Sequence, residues 1–119
     1  MWRDDAYLLD MLLAARKVLK FTRDITWDQF SADDLVQNAV MRQIQIIGEA
    51  ARKVSLQYQQ EHSEIPWNEI IGMRNRLVHE YFRIIPRRVW DVVEGDVPRL
   101  VRLIEPIVPP DESQMQNGR

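Results

Sequence analysis

The run ADDLVQNAVMRQIQIIGEAARKVSLQYQ, residues 32–59, carries apolar side chains at steps of three and four. Leu35, Val36, Ala39, Val40, Ile44, Ile47, Ala50, Ala51 and Val54 fall on one side of a 3.6-residue period, and Gln43 sits among them. Period-two alternation is missing, so the run predicts one long amphipathic helix and argues against a strand. Ser31 is placed to cap it, with Asp33 and Asp34 in the first turn, where negative charge suits the helix dipole. Gly48 interrupts the stripe. A glycine inside a helix costs about 1 kcal/mol against alanine, and the physical reason to keep one is the close approach of another backbone.

The same period extends outward in both directions. Tyr7, Leu8, Met11, Leu12, Ala15, Val18 and Leu19 predict a first helix over 4–20, opened by Asp4 and Asp5 and closed by Arg16, Lys17 and Lys20. Residues 21–31 break the pattern and read as a connection. Pro66 suits a first helical turn, where its missing N–H is harmless, and a third helix is expected over 66–82. Pro86 starts a fourth, whose apolar positions Val89, Val93, Val97, Leu100 and Ile104 keep step across Gly95 and Pro98. An interior proline removes a hydrogen bond and crowds the preceding turn, so a kink or two shorter helices are expected. The prediction is an all-α protein, an antiparallel bundle of four to five helices, over residues 1–105. The proline-bearing, polar segment 106–119 is expected to be a flexible tail.

Composition limits the chemistry. A chain of 119 residues fits one domain with one hydrophobic core. It has no cysteine, which excludes disulfides and thiolate metal sites. Its two histidines, His62 and His79, lie far apart and argue against a zinc site. No signal peptide and no apolar run of membrane-spanning length is present, so a cytoplasmic protein with no membrane partner is expected. Arginine outnumbers lysine 13 to 3, and arginine is the side chain suited to gripping phosphate with paired hydrogen bonds. Arg74, Arg76, Arg83, Arg87 and Arg88 crowd residues 74–88 against the single acid Glu80. A solvated helix face explains such a cluster as well as an anion-binding one does.

Within the expected third helix, Arg74 stands in the middle of the apolar stripe. Trp67, Ile70, Ile71, Leu77, Val78 and Tyr81 all project within about 60° of it on a helical wheel. Stripping water from an unpaired guanidinium costs several kcal/mol. Arg74 is therefore expected to meet a carboxylate (Glu49 is the nearest candidate in the second helix), carbonyl oxygens, a watered cleft or a ligand anion. Asn75 and His79 share one edge of the stripe, so Arg74, Asn75, His79 and Tyr81 could line a groove. Each also has a purely structural reading: an ion pair for Arg74, a surface histidine, a tyrosine with its hydroxyl at the rim of the core.

The string RNRLVHEY, residues 74–81, resembles the Arg-x4-His-x-Tyr signature of HepT-like toxins in the HEPN superfamily. QIIGEAARKV, EIPWNEIIGMRNRLVHEYF and VWDVVEGDVPRL resemble the family's long helix, motif region and following helix, so the similarity runs over about residues 4–105. After the tyrosine, relatives often carry a glycine and an acid, where this chain has FRIIPRR. The resemblance implies a metal-independent, cofactor-free endoribonuclease toxin of a type VII-like toxin–antitoxin pair. It further implies a homodimer with two motifs facing a shared cleft. The implied partner is an MNT-type nucleotidyltransferase antitoxin that transfers AMP to Tyr81.

The chemistry suits the residues. A 2′-hydroxyl attacking the adjacent phosphorus needs a base, a proton for the leaving 5′-oxygen and a cation for the developing charge. His79 can serve as base or acid near neutral pH, Arg74 can hold the phosphate oxygens, and Asn75 can orient either His79 or the phosphate. Arg76, Arg83, Arg87 and Arg88 are candidate RNA contacts. The competing reading is a non-catalytic HEPN module that binds RNA or nucleotide and partners a nucleotidyltransferase. A third is a scaffold in which Arg74 only pairs with Glu49.

Overall fold

A computed structural model describes residues 2–79, 81 and 83–109. Two twenty-residue helices, α1 (Trp2–Phe21) and α3 (Asp34–Lys53), form its centre. They pack along each other, and α7 (Val97–Ile104) covers the other side of α1. The predicted stripes supply the contact. Leu8, Met11, Ala15 and Val18 of α1 face Val40, Ile44, Ile47 and Ala51 of α3, and all are fully buried. The leucine, methionine, isoleucine and valine side chains among them each contribute about 1.5–3 kcal/mol on burial. The buried Asp4 carboxylate fixes the pairing as antiparallel. It accepts hydrogen bonds from the backbone N–H of Ser55, at 2.8 Å, and from the Ser55 hydroxyl, at 2.7 Å. The start of α1 is thereby tied to the residues just past the end of α3.

Several boundaries depart from the sequence reading. Residues 21–31, expected to be only a connection, contain the short helix α2 (Trp27–Ser31). Thr26 and Gln29 form a reciprocal capping box at its start. Phe30 and Trp27 then pack at a tilt against Trp90, at centroid distances of 5.0 and 6.3 Å. Ser31 does not cap the long helix. Its hydroxyl bonds back to the Asp28 carbonyl, and Asp33 takes the cap instead, accepting from the N–H of Val36. The long helix also ends at Lys53 rather than at 59, because Asp4 engages Ser55. Ser55 then caps a separate helix, α4 (Leu56–Glu61).

The largest departure is the third helix. Helix α5 (Trp67–Ile71) stops at Gly72, and Arg74–Leu77 form a 3-10 turn. Val78 is extended, and Ile84 returns beside it. Val78 pairs antiparallel with Ile84, the N–H of His79 donates to the carbonyl of Arg83 at 2.7 Å, and the N–H of Ile85 donates to the carbonyl of Leu77 at 2.8 Å. Ile85 precedes Pro86, and a residue before proline is driven out of the helical region. Its φ of −103° and ψ of 94° agree.

Beyond the loop, α6 (Pro86–Asp91) runs through a π turn (Val92–Asp96) into α7. The expected irregularity near Gly95 and Pro98 is this π turn, in which the N–H of Val97 reaches the carbonyl of Val92. One extra residue in the turn lets a proline follow without breaking the stripe. A 3-10 turn, Glu105–Ile107, follows α7. There Glu105 pairs with Arg16 at 2.8 Å, and Ile107 and Val108 pack against the core. Within the expected tail, residues 110–119 lie outside those described. Among the described residues there is no strand beyond the single Val78–Ile84 bridge. No described helix is long and apolar enough to cross a membrane.

Candidate active site

The 3-10 turn that carries Arg74 and Asn75 rests on α3. Gly48 makes this possible. A Cβ at that position would lie 3.4 Å from the carbonyl oxygen of Ile71 and 3.5 Å from that of Ile70, so the end of α5 sits directly on the helix. The expected close approach of a second backbone is therefore present, and its partner is the segment that leads into Arg74.

Arg74 is half-buried and divides two open clefts along α3. One, of about 270 Å³, is lined by Asn38, Met41, Arg42, Gln45, Arg74, Val78 and Ile84. The other, of about 330 Å³, is lined by Gln45, Gly48, Glu49, Arg52, Ile71, Arg74 and Asn75. Arg74 Nη1 donates to Asn75 Oδ1 at 3.3 Å, so the two residues act as a unit in the second cleft. Glu49 shares that cleft and accepts a hydrogen bond from Gln45 at 3.1 Å.

His79 and Tyr81 are not on the Arg74 helix face, because no helix runs between them. His79 is exposed, on the outgoing arm of the 78–84 loop, with its backbone held by Arg83, and it lines neither of the two clefts. Tyr81 stands near the tip of that loop, 88% exposed and with φ of 58°. A tyrosine in the left-handed region costs about 1–2 kcal/mol, and one so exposed recovers almost nothing by burial. Within one protomer the structure thus brings Arg74 and Asn75 together and presents His79 and Tyr81 on an adjacent projecting loop.

The other arginines divide. Arg76 Nη2 donates to the carbonyl of Glu69 at 3.2 Å, and the Arg76 carbonyl accepts from Arg88 Nη1 at 3.3 Å, so both brace the turn. Arg87 lies over the Trp27 ring, 4.9 Å from its centroid, and pairs with Asp91 at 3.4 Å. Arg83 is exposed on the returning arm of the loop. Among the described residues no group of three or more histidine, cysteine, aspartate or glutamate side chains is placed to hold a metal ion.

Sequence reasoning missed Arg42, Gln45 and Arg52 as cleft residues. The signal was available in their spacing, since positions 38, 42, 45, 49 and 52 form a second, polar stripe along the long helix.

Comparison with known proteins agrees with the motif. A family model described as "Ribonuclease HepT-like" matches residues 11–107. The chain is 37% identical over 100 residues to "Putative RNase MJ1380" of Methanocaldococcus jannaschii, covering 84% of this chain and 92% of that one. It is 39% identical over 94 residues to "Probable ribonuclease HepT" of Thermococcus cleftensis, covering 79% and 86%. No solved structure gives a significant match. From the motif, the helical architecture and the match over most of its length, the chain belongs to the HepT-like ribonuclease family of the HEPN superfamily.

Proposed function

We propose that this chain is a metal-independent endoribonuclease and the toxin of a toxin–antitoxin pair. The observation that carries the reading is Arg74, held by Asn75 at the junction of two open clefts in a chain of this family. Arg74 binds the scissile phosphate and stabilises the charge that grows on it. His79 takes the proton of the 2′-hydroxyl, or supplies one to the leaving 5′-oxygen. The oxygen–phosphorus bond to the 2′-oxygen forms as the bond to the 5′-oxygen breaks. The products are a 2′,3′-cyclic phosphate and a 5′-hydroxyl. A homodimer brings the exposed His79 loop of each protomer to a cleft shared by both. Asn75 orients the phosphate through its bond to Arg74. Arg83 and Arg88 add backbone contacts near the loop, with Arg76 and Arg87 behind them.

Tyr81 is the acceptor for AMP: its phenol oxygen loses its proton and bonds to the α-phosphorus of an ATP held by an MNT-type nucleotidyltransferase antitoxin, and the bond to the departing pyrophosphate breaks. Its exposure and its left-handed backbone support this role: an aromatic residue there serves a partner better than it serves the fold. An adenylyl phosphate beside His79 blocks the cleft and repels RNA. Incubation of single-stranded RNA with the purified protein in EDTA tests the reading. Fragments ending in cyclic phosphate are expected from wild type. Intact RNA, with binding retained, would favour the non-catalytic binding module.

A further inference from the structure

Arg42 and Arg52 lie on α3, ten residues apart, and so about 15 Å apart along the axis. Arg42 lines the cleft on one side of Arg74 and Arg52 lines the cleft on the other. Both are exposed. Gln45 borders both clefts, so the two spaces run on from each other past Arg74. Three guanidiniums therefore follow one path, with Glu49 the acid among its lining residues. The Gln45 amide already donates to that carboxylate at 3.1 Å. Arg52, in the last turn of α3, also suits the helix dipole, but Arg42, in mid-helix, has no such reason to be basic.

We infer that the polar stripe of α3 is the track of the RNA backbone. Arg42 and Arg52 hold the phosphates on either side of the one bound by Arg74. The inference rests on the ribonuclease reading and deepens it. It assigns single-stranded RNA as the ligand, because the path is a few nucleotides long and is an open cleft lined by guanidiniums rather than a closed base pocket. Gln45, between them, faces whatever base the strand turns toward the helix, with both a donor and an acceptor to offer.

The test is fluorescence anisotropy with an end-labelled single-stranded RNA of roughly 12 nucleotides, within the usual site size. It uses full-length protein carrying His79→Ala to prevent cleavage, titrated between about 50 and 200 mM salt. Arg42→Gln and Arg52→Gln are each expected to weaken binding about tenfold, the loss typical of one charge-assisted contact. Each is also expected to lower the salt slope by roughly 0.7. Arg102→Gln on α7, which lines neither cleft, is the control and should bind as the parent does. Unchanged affinity and slope in both cleft variants would overturn the inference. So would a change in sedimentation that accompanies the binding loss, since the stripe would then be a contact between two copies. Cleavage by wild type is scored separately. Cutting with no effect of the cleft variants on binding sinks this inference alone; binding along the stripe without cutting sinks the ribonuclease reading alone.

Discussion

Tyr58 and Tyr81 show how differently one residue type is used within a small chain. Tyr58 is half-buried, stacked on His62 at 4.2 Å and edge-on to Trp67. Burial first, then the carboxylates of Asp5, Asp4, Glu64 and Glu61, push its phenol above the ordinary value of 10.0. The fold therefore favours the neutral phenol. Its contribution to stability is complete below about pH 10 and is lost as pH rises through the raised value. The ultraviolet difference between wild type and Tyr58→Phe isolates this titration. A midpoint above 10.0 is expected, and one at or below it contradicts the account. Tyr81 serves the fold far less. Replacing it with asparagine, which tolerates φ of 58°, should leave thermal stability equal or raise it by up to about 1 kcal/mol. The same change should abolish the mass gain of one AMP that the proposed function predicts when the chain is made with an MNT-type nucleotidyltransferase. A substantial loss of stability would mean that Tyr81 is structural.

Helices α1 and α3 were legible because each carries a complete apolar stripe, and such stripes bury what they promise. Residues 72–85 were not, because the wheel that placed Arg74 among apolar neighbours assumed a helix running on through Gly72, where α5 ends and a 3-10 turn follows. Arg74 and Asn75 remained together since they are adjacent in sequence; His79 and Tyr81 left the shared face once the backbone turned extended. The signals were present in Val78 and Ile84-Ile85-Pro86, which favour extended backbone on both sides of a turn. The seat of α5 on α3 makes a prediction of its own. At Gly48 a methyl group meets two carbonyl oxygens at ordinary contact distance, so Gly48→Ala should change stability by less than about 1 kcal/mol. Gly48→Leu has no room and should cost about 1–3 kcal/mol while displacing Arg74. Chemical denaturation of the two variants checks this; equal stability would show that the contact is loose. Asp4→Ala, by contrast, strands the Ser55 N–H at a part-buried junction and should cost about 1–3 kcal/mol in the same assay.

At the scale of the molecule, a basic and open surface is arranged along the polar side of a long helix whose other side is the core. The core side holds α1, which α7 packs against in turn; the polar side carries the clefts beside the Arg74 turn. One arrangement therefore serves both folding and binding, since the residues that seat α5 on Gly48 also set the position of Arg74. The chain offers Arg74 at the two clefts and His79 on a neighbouring loop, and in the proposed function a second copy completes the site. In the proposed function Arg74 and His79 together break RNA without a metal. The most direct measurement compares cleavage of single-stranded RNA in EDTA by wild type, Arg74→Lys and His79→Ala, with circular dichroism confirming that all three are folded. The account predicts cutting by wild type and a loss of about 100-fold or more in each variant. Equal rates in wild type and His79→Ala, or wild-type cleavage that vanishes in EDTA, would contradict it.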